Sequence, residues 1–449
     1  MKRLVAAGAL FAASVAGWTA LVASSPGTYW QQSDAVVYRE AGLAVRHGAA
    51  LYAQTFGVAH LPFTYPPFAA VVFAAFSPLS FPAWQMILAG AGLCCLPLAA
   101  HAAVRLAAGP GDTSRTGRLA VAFAVAAVGL WLEPVDLTLH FGQINLILMA
   151  LVLVDLAAPD TARYKGIGIG IAAGLKLTPL IFVPYLLLTR RVRAATVSAV
   201  SFAGTVALGF AVLGRDSAAY WAGQFSRPGD DPVRLVNQSL NGLVLRAFRE
   251  GPDAHAAWIV AALATGALGI GAAVVAGRRG LELLGVCLCA ATGLLVSPIS
   301  WSHHWVYVLA GLALVAGRPA RLWRAGPVRR VGALAAGTVL VGLFAWWPLR
   351  VGPHGGIDPA IGIHPSGLLR VVSHDNGAEL RWTGWQLVYG DAYVLAALAF
   401  VLGSAGWLLA TARRPRPAPG AIATGSAAPA SAGAGSAGAG SAGAAGNRP

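Results

Sequence analysis

The sequence is poor in charged residues, in acidic residues and in cysteine. Only 11% of its 449 residues are charged, whereas 57% are hydrophobic. Ordinary soluble domains carry about 25% charged residues, so this balance excludes a soluble globular protein. The four cysteines (Cys94, Cys95, Cys287 and Cys289) lie inside apolar runs. Their positions suit neither a disulfide framework nor a zinc site, and we expect them to be packing residues.

Apolar runs long enough to cross a bilayer, roughly 17 to 25 residues each, recur along most of the chain. Inside hydrocarbon every backbone polar group must be paired within the protein, so these runs are expected to be helices. We therefore predict an all-α polytopic membrane protein, a bundle of about 11 to 13 transmembrane or half-membrane helices within residues 1–412. The clearest runs are Leu4–Ala23, Trp84–Ala107, Ala194–Leu213, Ala256–Ala276, Val331–Trp347 and Asp391–Leu409.

Basic residues outnumber acidic ones by 32 to 17, which gives a formal net charge of +15. In a soluble protein this excess would suggest nucleic acid as a partner. Here the arginines form short clusters between apolar runs, without interleaved aromatic residues, as cytoplasmic loops of membrane proteins do. We expect no nucleic-acid partner and a cytoplasmic position for these clusters. They are Lys2-Arg3, Arg190–Arg193, Arg278-Arg279, Arg318–Arg330 and Arg413–Arg416.

Counting crossings between the basic clusters places the other loops outside. The expected outer segments are 24–67 (the first extracytoplasmic loop), 215–253, 297–304 and 349–390 (the late extracytoplasmic loop). The region between Pro66 and His140 leaves two alternatives. Two full crossings there would put the basic segment Arg105–Arg118 outside, against the usual charge distribution. Either that segment breaks the rule, or one short Pro-flanked run is re-entrant.

Both ends of the chain are distinctive. Met1-Lys2-Arg3 followed by an apolar stretch is typical of a signal peptide or of a retained first helix. Its length of about 20 residues favours the helix, because it is enough to span. From about Pro415 the sequence becomes rich in Pro, Gly, Ala and Ser. We expect residues 413–449 to be a disordered cytoplasmic tail.

Lys176 lies inside the apolar run Ile167–Leu188. An ammonium at membrane depth is costly and is by default a candidate for function. The alternative is that its side chain extends from a helix end to water. Pro179 removes a backbone donor close by and tends to kink or end a helix. We therefore predict two half-helices that meet at the outer surface near Lys176.

Asp34 and Tyr38 follow the first apolar run and are four residues apart, so on a short surface helix they share a face. An ionised carboxylate just outside the first membrane helix could act as a general base at the bilayer surface. The alternative is a helix N-cap, for which aspartate is well suited.

Other polar residues interrupt apolar runs at comparable places. The adjacent His303 and His304 leave metal binding, phosphate or sugar contact and interfacial hydrogen bonding open, although no Asp, Glu or Cys cluster accompanies them to favour a metal. Cations and amide donors suit an anionic phosphate, while one carboxylate can take a proton. We expect one membrane face to hold Asp34, Gln143, Lys176, Asn237, His303 and His304.

These motifs occur in an order that resembles a known family. The set comprises Asp34 with Tyr38, Tyr65-Pro66-Pro67, Gly142–Asn145, Gly174–Pro179, Asn237–Ser239 and Ser297–His304. It resembles the polyprenol-phosphate-mannose-dependent α-(1→2)-mannosyltransferases, a GT-C family of cell-envelope enzymes (glycosyltransferase family 87). The resemblance covers roughly residues 1–412.

The resemblance implies a GT-C-type bundle with an extracytoplasmic active site in the plasma membrane. It implies a polyprenyl-phosphate-mannose donor, a glycolipid or lipoglycan acceptor, and neither metal nor other cofactor. A lipid donor carrying another sugar, a glycan ligase and a lipid-linked-sugar transporter are the alternatives. The implied roles are Asp34 as catalytic base; Lys176, His303 and His304 as contacts to the donor phosphate; and Tyr38, Tyr65, Gln143, Asn145, Asn237 and Gln238 as substrate-binding residues.

Overall fold

The computed structural model describes residues 1–108, 114–223, 232–316, 327–345 and 377–412. A short hairpin pairs β1 (Thr55–Phe56) with β2 (Leu61–Pro62), and all longer elements are helices. Up to Lys176 these are α1 (Lys2–Ser24), α2 (Pro26–Tyr29), α3 (Ser33–Arg46), α4 (Pro67–Phe76), α5 (Phe81–Ala107), α6 (Arg115–Gly129), α7 (Glu133–Phe141), α8 (Asn145–Leu156) and α9 (Ile167–Leu175). After Lys176 they are α10 (Phe182–Leu188), α11 (Val192–Val212), α12 (Gly214–Trp221), α13 (Leu240–Phe248), α14 (Ala254–Arg278), α15 (Glu282–Val296), α16 (Val308–Ala316), α17 (Pro327–Phe344), α18 (Trp385–Gly390) and α19 (Ala392–Ala412). Short 3-10 helices cover Thr178–Ile181, Ser302–Tyr307 and Ala378–Arg381.

Five helices in the described ranges are long and apolar enough to cross a bilayer: α1, α5, α11, α14 and α19. Helices α6 and α7, bent by 72° against each other, form a sixth if they are one broken span. Shorter apolar helices pack among them. The predicted all-α membrane bundle is confirmed, and five of the six clearest apolar runs coincide with these five helices. The sixth run, Val331–Trp347, is described as helix only as far as Phe344.

The region between Pro66 and His140 contains a half-length helix. The ten residues of α4 extend about 15 Å, half of the roughly 30 Å hydrocarbon thickness, so α4 does not cross. That leaves α5 as the full crossing before the basic segment Arg105–Arg118. Arg105 Nη2 donates to the Ala157 carbonyl at 3.0 Å, at the end of the bundle where other basic residues lie. The short α4 therefore favours the re-entrant alternative.

The run Ile167–Leu188 is broken at Lys176, as predicted. Lys176 has an extended backbone (φ −153°, ψ 130°) between α9 and the following 3-10 turn. The far ends of the two half-helices meet again. Lys165 Nζ lies 2.7 Å from Asp160, and Arg191 Nε lies 3.7 Å from the same carboxylate. Two half-helices with Lys176 at their apex are thus confirmed.

Segments predicted to lie outside meet at one end of the bundle, here called the Asp34 end. Leu51 N donates to Asp216 Oδ1 at 3.0 Å. Gln238 joins two further segments, since its N donates to Ser300 O at 2.8 Å and its Nε2 to Gly390 O at 2.6 Å. All four predicted outer segments therefore contribute residues to this end. The opposite end holds the Arg191–Glu282 ion pair and the contact from Arg279 Nη1 to Leu408 O at 2.8 Å.

Helix α1 is packed into the bundle. Ser14 Oγ donates to Ala127 O at 2.8 Å, and Trp18 Nε1 donates to Asp136 Oδ1 at 3.1 Å. These contacts are those expected of a retained first helix. The predicted tail (413–449), most of the late loop (349–376) and most of the basic run Arg318–Arg330 lie outside the described residues.

Candidate active site

The position of Asp34 is set by the residue two places before it. Gln32 adopts a left-handed backbone (φ 57°), which is uncommon for a non-glycine residue. It is held there by hydrogen bonds from its N to His140 O (2.9 Å) and from its Nε2 to Leu139 O (2.7 Å). Gln32 is the N-cap of α3, so the alternative of Asp34 as the cap is wrong. Asp34 lies half-buried in the first turn, where the positive end of the helix dipole favours a carboxylate.

Gly142 allows α7 to end against the start of α3. Its φ is +70°, and a Cβ there would lie 2.6 Å from Ala35 Cβ and 2.7 Å from Gln32 Oε1. A larger residue would therefore separate the two helices and add backbone strain. The close approach places Gln143 beside Tyr38.

Tyr38, Tyr65 and Gln143 form a buried polar triangle. The two hydroxyl oxygens are 2.6 Å apart, and each lies 3.0 Å from Gln143 Oε1. Burial raises the pKa of both tyrosines, and the negative charge of Asp34 adds to the effect. Both hydroxyls therefore remain protonated at neutral pH. Tyr38 lies four residues after Asp34 on α3, so the two residues belong to one helix, as predicted.

Lys176 joins this triangle to the histidine segment. Its Nζ donates to Asn145 Oδ1 at 3.0 Å and lies 2.9 Å from His304 Nε2. It also lies 5.4 Å from the centre of the Tyr65 ring, within the range of a cation–π contact. Segments far apart in sequence therefore meet in one site.

The two adjacent histidines occupy different environments. His304 is half-buried, and its Nε2 faces Lys176. The His303 ring is buried and packs edge-on against Phe141, with centroids 5.5 Å apart. Among the described residues neither of its ring nitrogens has a hydrogen-bond partner. Only the His303 carbonyl reaches the site, where it accepts from Asn145 Nδ2 at 3.1 Å.

Asn237 and Gln238 hold loops together. Asn237 Nδ2 donates to Pro232 O (2.9 Å) and Pro298 O (3.2 Å), while its Oδ1 accepts from Ser300 N (2.9 Å). Gln238 Nε2 contacts the Gly390 carbonyl, and both side chains are fully buried. These contacts fix the segment that leads to His304. A role of the two amides in substrate binding stays a prediction.

Burial separates the residues that a substrate can reach from those that support them. Three of the expected site residues are half-buried, namely Asp34, Lys176 and His304. The other seven are buried: Tyr38, Tyr65, Gln143, Asn145, Asn237, Gln238 and His303. The accessible set thus consists of one carboxylate, one ammonium and one imidazole.

An apolar cavity opens beside the accessible cation. Asn145, Lys176 and His304 give it one polar side, and most of the remaining wall is apolar. That part includes Leu148, Met149, Ile181, Phe182, Leu294 and Tyr307. A cavity of this kind suits an anionic head group attached to a hydrocarbon chain.

The sequence profile of glycosyltransferase family 87 matches residues 63–298. A protein of Mycobacterium tuberculosis is 36% identical over 318 residues, which is 68% of this chain and 72% of that relative. Its name is polyprenol-phosphate-mannose-dependent alpha-(1-2)-phosphatidylinositol mannoside mannosyltransferase. The chain belongs to glycosyltransferase family 87.

Two further similarities accompany this assignment to family 87. A protein of the same name from Mycolicibacterium smegmatis is 34% identical over 347 residues, 71% of this chain and 76% of the relative. Among solved structures, ArnT from Cupriavidus metallidurans bound to undecaprenyl phosphate is similar over 89% of this chain and 76% of its own, with a TM-score of 0.43 and 17% identity.

The family 87 profile and the site coincide only in part. The matched residues 63–298 include Tyr65, Gln143, Asn145 and Lys176 but neither Asp34 nor His304. Gln32, which sets the start of α3, was not among the residues expected from the sequence. Nor was Thr138, whose Oγ1 donates to His303 O at 3.0 Å. The available signal for Thr138 was its place in a short polar stretch between two apolar runs.

Proposed function

We propose that this family 87 glycosyltransferase transfers mannose from polyprenyl-phosphate-mannose to a hydroxyl of a cell-envelope glycolipid or lipoglycan. The product linkage would be α-(1→2), and the reaction would take place at the outer face of the plasma membrane. The names of the relatives support the donor and the sugar. The meeting of all four predicted outer segments at the Asp34 end supports the outer face.

The observation that carries the proposal is the position of Lys176 at the polar side of the apolar cavity. A polyprenyl-phosphate sugar is a phosphodiester with one negative charge and a long hydrocarbon chain. Lys176 supplies one positive charge, and His304 adds a nitrogen 2.9 Å from its Nζ. The phosphate would lie against these two residues, with the first isoprene units along the apolar wall. A charged donor hydrogen bond of this type is stronger than a neutral one.

Asp34 is the general base in the proposed reaction. The acceptor hydroxyl would hydrogen-bond the Asp34 carboxylate, which takes its proton as the oxygen attacks the anomeric carbon. The bond from that carbon to the phosphate oxygen breaks at the same time. Attack from the face opposite the phosphate converts a β-linked donor into an α-mannoside, with inversion and without a covalent enzyme intermediate.

Lys176 acts on the leaving group, and His304 Nε2 accepts from its ammonium. As the bond to the sugar breaks, the phosphate changes from a diester to a monoester and gains negative charge. A preorganised ammonium stabilises that charge without reorganisation during the reaction. Since the chain supplies this cation itself, the proposed mechanism does not require a divalent metal ion. Loss of activity in a chelator, restored by added metal, would contradict this part.

The test is transfer by the purified protein from donors that differ in one feature each. Radiolabelled polyprenyl-phosphate-mannose would be compared with polyprenyl-phosphate-arabinose, polyprenyl-phosphate-glucose and a nucleotide-linked mannose, with an envelope-glycolipid fraction as acceptor. We expect transfer from polyprenyl-phosphate-mannose and the α-(1→2) linkage in the product. Preference for another lipid-linked sugar would overturn the assignment of mannose. Movement of the lipid-linked sugar across the membrane of a proteoliposome without transfer would favour a transporter instead.

A further inference from the structure

We infer that Asn145 is a positioning residue, which holds the Lys176 ammonium and the His303-His304 turn in one arrangement rather than binding substrate itself. This inference rests on the proposed function, in which Lys176 is the cation for the donor phosphate.

The contacts of Asn145 occupy both ends of its amide. Its Oδ1 accepts from Lys176 Nζ at 3.0 Å, and its Nδ2 donates to His303 O at 3.1 Å. Thr138 Oγ1 donates to the same carbonyl at 3.0 Å. Asn145 is only 5% exposed, so little of it is left for a substrate to touch. It therefore acts on the reaction through Lys176.

The chemistry of the position explains why an amide is suited to it. One planar group must present an acceptor to an ammonium and a donor to a backbone carbonyl, and asparagine does both. Leucine would do neither. Aspartate would keep the shape and the acceptor but lose the donor, and its negative charge would pair with Lys176 in competition with the donor phosphate.

The arrangement also leaves Lys176 prepared for the phosphate. An ammonium has three N–H donors. Asn145 and His304 lie at hydrogen-bond distance from Nζ and account for two of them. The third is left for the phosphate oxygen. Without Asn145 the flexible lysine side chain would have to be ordered at the moment the donor binds.

A double-mutant cycle tests this coupling. The variants Asn145→Leu, Lys176→Met and the double variant would be compared with wild type for kcat and for the KM of polyprenyl-phosphate-mannose. We expect Asn145→Leu to lower kcat/KM by about 10- to 100-fold in the wild-type background, the loss associated with one hydrogen bond to a charged group. In the Lys176→Met background the same substitution should cost less than about threefold, because the residue it positions is gone.

Two further variants make the cycle decisive. Asn145→Asp preserves the shape of the side chain and replaces Asn145→Leu in the test if that variant does not fold. It should raise the donor KM only where Lys176 is present. Asn241→Leu is the control, because Asn241 Nδ2 also donates to a backbone carbonyl (Pro298 O, 3.1 Å) and, among the hydrogen bonds of the described residues, makes none with Lys176. Its effect should be small and equal in both backgrounds.

The outcomes separate two failures. An equal fold-loss from Asn145→Leu or Asn145→Asp in both backgrounds would overturn the positioning role and leave the proposed function standing. Absence of transfer from polyprenyl-phosphate-mannose by the wild-type protein would overturn the proposed function, whatever the variants do.

Discussion

Replacing Lys176 by methionine should remove the cation on which the proposed donor site depends. Methionine keeps an unbranched, flexible chain of similar bulk, so packing at the apex of the two half-helices changes little. Asn145 Oδ1 and His304 Nε2 would lose the Nζ group that lies 3.0 and 2.9 Å from them. The polar side of the cavity would then carry no ammonium.

The size of the effect follows from the charge that develops on the phosphate. Removing one preorganised donor to a developing oxyanion typically costs about 10²- to 10³-fold in kcat, or about 2.7 to 4 kcal/mol. The ground-state phosphodiester already carries one negative charge, so the donor KM should also rise, but by a smaller factor. Lys176→Arg should retain part of the activity, since it keeps the charge but presents it on a planar, bulkier group.

The assay is transfer of radiolabelled mannose under single-turnover and steady-state conditions in detergent or nanodiscs. Arg278→Gln is the matched control, because it removes an exposed cation at the opposite end of the bundle, where Arg278 donates to the Leu188 carbonyl. Its kcat should stay within about twofold of wild type. A Lys176→Met protein whose kcat stays within about threefold of wild type would refute the role of Lys176 at the phosphate.

Four other substitutions give distinct results. His304→Leu should lower kcat/KM for the donor by about tenfold or more. The His303 ring does not face Lys176, so His303→Leu should leave the transfer rate of the folded protein within about threefold of wild type. Equal losses in the two variants would contradict this distinction between the histidines. Asn237→Ala removes the hydrogen bonds of its amide to Pro232 O, Pro298 O and Ser300 N, so the free energy of unfolding should fall by about 1–3 kcal/mol, seen as a lower Tm with an unchanged donor KM. Asp391→Asn breaks the buried ion pair with Arg246 and should lower the free energy of unfolding by about 3–5 kcal/mol. A Tm equal to that of wild type would show that this pair does not hold α19 in place.

The membrane helices could be predicted from the sequence because the bilayer imposes a simple rule. In hydrocarbon, an apolar run whose backbone groups are not hydrogen-bonded within the protein is too costly. The length and composition of a run are therefore sufficient to predict that it forms a helix. The break at Lys176 could also be predicted, since Pro179 and a lysine in an apolar run each oppose a continuous helix. The short α4 could not be predicted, because a run of ten apolar residues that begins at Pro67 suits a half-helix and part of a longer span equally well.

The individual roles within the site could be predicted only in part. Lys176, His304 and the Tyr38–Tyr65–Gln143 triangle do meet, as the ordered motifs indicated. The sequence could not distinguish His303 from His304, because which of two adjacent rings faces the cation depends on the 3-10 turn of Ser302–Tyr307. Nor could it show that the amides of Asn237 and Gln238 are bound to backbone groups. From the sequence, a polar loop residue that hydrogen-bonds the backbone cannot be distinguished from one that binds a ligand.

The most direct test of the account compares wild type with Asp34→Asn in transfer from radiolabelled polyprenyl-phosphate-mannose. Asparagine preserves shape and hydrogen bonding but cannot take a proton from the acceptor hydroxyl. We expect transfer to fall by about 10²- to 10⁴-fold, the contribution usual for a general base, while donor binding is retained. Equal transfer by both proteins would remove Asp34 from the mechanism and contradict the central claim.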